Sequence, residues 1–73
     1  MGRLKVFSGK QICSLLEGNG FDNVRQRGSH IVMQKKTESS TITVIVPMHS
    51  ELRAGTLSSI IRQSKLPREH FEV

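Results

Sequence analysis

The period of the hydrophobic positions changes several times along the chain, and each change marks an element. Ile12, Leu15 and Leu16 stand at i, i+3 and i+4, a single apolar stripe on a helix. Just before it, Ser8-Gly9-Lys10-Gln11 has the form of a capping box. The Ser8 hydroxyl can accept from the third helical N–H while the Gln11 side chain reaches back. Gly18-Asn19-Gly20 follows the stripe, and both residue types tolerate the left-handed conformation that ends helices. The pattern predicts a helix over 9–17.

The next stretches carry strand signals. Residues 21–27 predict a strand with Val24 inward and Asn23, Arg25 and Arg27 on the opposite face, and Gly28-Ser29 is a turn signal. A second strand is predicted over 30–36 and a polar loop through Ser40. A third strand covers 41–46, where Ile42, Val44 and Val46 alternate with Thr41, Thr43 and Ile45. Pro47 has no N–H for a ladder and ends that strand. Leu57, Ile60 and Ile61 repeat the i, i+3, i+4 stripe, which predicts a second helix over 56–64 with Thr56 as a possible cap. Residues 66–71 suggest a closing turn of helix with Pro67 at its first position. The order is α-β-β-β-α plus a final turn. It implies an α+β fold of the double-stranded-RNA-binding-domain type, a three-stranded antiparallel sheet with both helices on one face.

Composition narrows the possibilities. At 73 residues the chain is expected to form one domain, covering 1–73, near the lower limit for folding without staples. No apolar run approaches the roughly 18 residues that span a bilayer. The start, Met1-Gly2-Arg3-Leu4-Lys5, shows neither a signal-peptide core nor support for myristoylation at Gly2. Cys13 is the single cysteine, which excludes an internal disulfide and fits a reducing cytoplasm, the expected location; it reads as a partly buried helix residue. Eleven Lys and Arg against six Asp and Glu give a formal charge of +5, and such a balance points to a polyanionic partner. With three Phe and no Trp or Tyr, the chain lacks the stacking platform of typical single-strand binders.

The chemistry-bearing segment is Arg25-Gln26-Arg27-Gly28-Ser29-His30. If Ile31 and Met33 face the core, His30 shares the outer face with Val32 and Gln34, and Arg25 and Arg27 project from that same uncovered side. Because Ile31-Val32-Met33 is continuously apolar, the opposite phase, with His30 inward, is also open. An imidazole with an ordinary pKa of about 6.5 can accept or donate a proton near neutrality. Arginine forks can hold a phosphate and offset charge developing on it. Lys35 and Lys36, with Lys10 and Arg62, can extend a basic surface. His49, after Pro47 and Met48, could contact RNA or transfer a second proton, although a solvated loop histidine is the commoner case. His70 reads as an exposed residue near a helix end. The histidine spacing gives no metal site, and Ser29 reads as a turn hydroxyl, since no Ser/His/Asp set is visible.

Taken in order, several motifs resemble the HicA (YcfA-like) toxin family: Ser8-Gly9-Lys10, Gly20-Phe21, Arg25-Gln26-Arg27-Gly28-Ser29-His30, Val46-Pro47-Met48-His49, Gly55-Thr56-Leu57-Ser58-Ser59-Ile60 and Phe71. The resemblance covers nearly the whole chain. It implies a type II toxin–antitoxin system, an mRNA-cleaving endoribonuclease without a recognised metal or other cofactor, and a HicB-like antitoxin that covers the active surface. It also implies that His30, after the Gly28-Ser29 turn, is catalytic; beside it, Arg25, Arg27, Ser29 and Lys35 are the candidate RNA-binding residues and Gly28 the turn residue that positions the site. Many relatives carry a second histidine directly after the first. This chain has Ile31 there, which removes a possible auxiliary proton donor. Two readings from other classes stand beside the nuclease: a non-catalytic RNA-binding module of the same fold, and a small protein-interaction domain with incidental basicity. Salt-dependent RNA affinity separates those two.

Overall fold

A computed structural model of the chain describes residues 3–72; Gly2, and with it any lipidation there, lies outside them. The element order is α1 (Gly9–Glu17), β1 (Asp22–Arg27), β2 (His30–Lys36), β3 (Thr41–Pro47), α2 (Ala54–Ser64) and a closing 3-10 turn (Arg68–Phe71). The capping box at α1 is complete. Gln11 N–H donates to Ser8 Oγ at 3.1 Å and Ser8 N–H donates to Gln11 Oε1 at 2.9 Å. The helix ends where the glycines predict, but Gly18 stays right-handed, with φ −64°. The left-handed residue is Gly20, at φ +93°. Phe21 N–H then returns to Leu16 C=O at 3.0 Å, turning the chain into β1.

The sheet is antiparallel in the order β1-β2-β3. Ile31 and Met33 of β2, with Val44 and Val46 of β3, face the helices and are buried. Ile12 and Leu16 of α1 and Leu57 and Ile60 of α2 pack on them, and Phe7, Phe21, Leu52 and Phe71 complete the cluster. Truncating any one fully buried member to alanine costs about 2–5 kcal/mol in lost transfer energy and cavity formation. Among the described residues the one buried polar side chain, Ser64, is satisfied, donating to Ile61 C=O at 2.8 Å and accepting from Leu66 N–H at 3.2 Å.

Three local expectations are corrected. Val24 is not inward; it is 51% exposed. The register steps from Asn23↔Met33 to Arg25↔Val32, so Val24 is the extra residue of a β-bulge with no partner of its own. The bulge also sends Asn23 to the side of Met33, opposite to Arg25. Pro47 lies inside β3 as its last residue, paired with His30. Met48 N–H bonds to Ser29 C=O, so even-numbered amides of β3 point to β2 and odd-numbered ones point out. Pro47 therefore sits where the ladder needs no donor. Finally, α2 begins at Ala54, and its cap position is Arg53, which makes no side-chain cap bond; Thr56 lies within the first turn.

The segment before α1 runs beside the closing turn. Lys5 N–H donates to Phe71 C=O at 2.9 Å, Leu4 bridges Glu72 antiparallel, and the Phe7 and Phe71 rings meet edge-on at 6.1 Å. None of this was readable from periodicity, because the segment carries no repeat.

Candidate functional site

The face of the sheet away from the helices is organised in rows, each set by the strand register. Arg27, His30 and Pro47 form one row; Arg25, Val32 and Ile45 form the next; Asp22, Gln34 and Thr43 form the third. Directly paired side chains have Cβ atoms about 4.5–5.5 Å apart. His30 thus stands between the Arg27 side chain and the Pro47 ring. Rows two residues apart lie about 7 Å from one another, which puts Arg25 one step along from that pair.

Local chemistry explains why His30 occupies this position. Gly28 and Ser29 join β1 to β2 in two residues. Gly28 takes φ +57° and Ser29 does not take a positive φ, as in hairpin turns that place glycine first. Gln26 Nε2 steadies the turn by donating to Gly28 C=O at 3.3 Å. The burial of Ile31 and Met33 then selects the phase, since one face must enter the core. Of the two phases the sequence allows, the structure takes the one with His30 outward and exposed.

Arg25 and Arg27 are exposed on this face, and among the described residues the ion pair is Arg68–Glu72, far along the chain. Ser29 is exposed in the turn itself. Lys35 is not with them. It pairs with Ile42 on the helix-covered side, and its ammonium lies 5.9 Å from the centre of the Phe21 ring. Its alkyl chain runs past Gly20. Lys36, one residue on, is the lysine that returns to the uncovered face, opposite Thr41.

The segment after β3 closes against the same turn. Met48 N–H donates to Ser29 C=O at 2.6 Å, and Gly9 N–H donates to His49 C=O at 2.9 Å. Sequence spacing gave no reason to bring His49 near His30, which lies 19 positions earlier. His70 belongs to the closing turn beside the N-terminal segment. Among the described residues no three His, Cys, Asp or Glu side chains gather as metal ligands.

Fold and site together define a small basic α+β protein with an imidazole and two guanidinium groups on an open antiparallel sheet. A family model described as the HicA toxin of bacterial toxin–antitoxin systems matches residues 9–66, and the chain belongs to that family. It is accordingly the toxin of a toxin–antitoxin pair, with an antitoxin as its implied partner. No curated protein matches the chain. Among the described residues no helix is long and apolar enough to cross a membrane.

Proposed function

We propose that this toxin is an endoribonuclease acting on mRNA, with His30 transferring a proton at the scissile phosphodiester. Arg25 and Arg27 hold the RNA backbone on the uncovered sheet face, and the Ser29 hydroxyl makes a further contact at the turn. The observation that carries this reading is the row in which exposed His30 stands directly across from exposed Arg27. Proton transfer and phosphate binding need those two group types within one phosphate's reach of each other. Lys35 has no part in it, since its ammonium is engaged over Phe21 on the other side of the sheet.

A HicB-like antitoxin neutralises the toxin by covering the same face. The half-buried Val32 and the 49% exposed Ile45 give that face an apolar centre with arginines beside it, which suits a partner that is apolar at its centre and acidic at its rim. The cytoplasm, where mRNA is found, is the place of action.

The test is induced expression of the wild type and of His30→Ala in a bacterium, following growth and intact mRNA together. Growth arrest with mRNA loss is expected for the wild type only. General acid–base catalysis contributes about 10²–10⁴-fold, so the variant's cleavage should fall by that order. His30 is exposed, and a thermal melt confirms that the variant folds. Equal toxicity of the two proteins would remove His30 from the chemistry. A wild type that spares mRNA would end the nuclease reading and leave an RNA-binding module.

A further inference from the structure

We infer that His49 is the second proton-transfer group of this site, donating to the leaving 5′-oxygen while His30 takes the proton of the attacking 2′-hydroxyl. The inference rests on the nuclease reading above and adds to it a residue and a reaction path.

The argument begins with the backbone. His30 pairs with Pro47 across the sheet. The next pair outward is joined by Met48 N–H to Ser29 C=O, so the ladder runs one step past the end of β3. In the extended phase that results, odd-numbered carbonyls point away from β2. The His49 carbonyl does so, because it is taken from outside by Gly9 N–H. The Pro47 carbonyl lies on the same outer edge, against Gly9. Residues 47 and 49 therefore share one face, and it is the face of His30. Both histidines are exposed.

The spacing suits the chemistry. His49 lies two residues, or about 7 Å, along the strand from the partner of His30. Two groups that act on opposite oxygens of one phosphate must be separated by roughly the phosphate's width plus a hydrogen bond of about 2.6–3.2 Å at each end. Neighbouring side chains in contact would be too close. The step balances without a co-reactant. His30 accepts the 2′-hydroxyl proton, the 2′-oxygen bonds to phosphorus, the bond from phosphorus to the 5′-oxygen breaks, and His49 protonates that oxygen. The products are a 2′,3′-cyclic phosphate and a 5′-hydroxyl, and solvent returns both histidines to their starting states. The position directly after His30 is Ile31, which is buried and carries no proton to give.

The test uses the purified full chain on an RNA that the wild type cuts, and on the same RNA with sulfur replacing the bridging 5′-oxygen at that bond. A thiolate leaves without protonation, so a missing general acid no longer matters. His49→Ala and His49→Gln, both checked by thermal melt, should cut the ordinary RNA about 10²-fold or more slowly than wild type. On the sulfur-bridged RNA they should recover to within several-fold of it. His30→Ala should stay slow on both. His49 variants that cut ordinary RNA at the wild-type rate, or that are equally slow on both substrates, overturn the assignment while leaving the nuclease intact. If the wild type cuts no RNA offered to it, the nuclease reading falls and this inference with it.

Discussion

Cys13 lies half-buried on the flank of α1 against the core. Burial, and secondarily the Glu17 carboxylate one turn on, push its thiol pKa above the ordinary range. The folded protein thus holds the neutral thiol, and alkylation at pH 8 should be several-fold slower than in urea, measured by iodoacetamide labelling. The linkage has a definite sign. A raised folded-state pKa gives stability that is fully present below the ordinary thiol value of about 8.5 and is lost as pH rises through the higher folded value. Equal labelling rates folded and unfolded would show the thiol to be free. At this scale Cys13 was legible from the helical stripe beside it. Val24 and Lys35 were not, because a bulge and a ring contact are settled by the partner strand and by Phe21, neither of which the local pattern contains.

Among the elements, α1 has an N-terminus that fits closely against the chain beyond β3. A Cβ on Gly9 would run into the Pro47 carbonyl oxygen and come within 2.9 Å of Met48 Cα, and both are backbone atoms that cannot swing aside. Alanine's helix preference of about 0.5–1 kcal/mol over glycine is outweighed by an overpacking cost of about 1–3 kcal/mol. Gly9→Ala should lower the melting temperature by several degrees. Gly55→Ala, also in a first helical turn but with nothing within 4 Å, should raise it. If both substitutions stabilise, the close packing at Gly9 is not real. The extent of α1 and the whole of β2 could be read from the sequence because capping chemistry and core alternation agree there. The start of α2 could not, since Arg53 carries no capping signal.

For the whole molecule, the net charge of +5 includes Arg25, Arg27 and Lys36 on the face that the helices leave bare. If Arg25 and Arg27 each neutralise a phosphate there, replacing either with alanine should weaken RNA binding for all sequences alike. It should also reduce the slope of log affinity against log salt by about 0.7–1. The measurement is best made by fluorescence anisotropy in a His30→Ala background, which spares the RNA. An unchanged slope would place RNA elsewhere on the molecule. The layered architecture was legible from the order of elements, and so was the basic character of the chain. The placing of the chain beyond β3 against the turn before His30 was not, because a sheet register brings together positions that no sequence period connects.

The antiparallel bridge between Leu4 and Glu72, with the Lys5-to-Phe71 hydrogen bond beside it, has a mechanical meaning. A pull on the two ends in opposite directions does not shear these contacts together; it opens them one after another, like a zipper. The first ring drawn from the interior is then Phe71 or its edge-on neighbour Phe7, both held in the one cluster that also seats α1 and α2. Force applied through residues 4 and 72 therefore opens these contacts pair by pair and bears directly on the hydrophobic centre behind them.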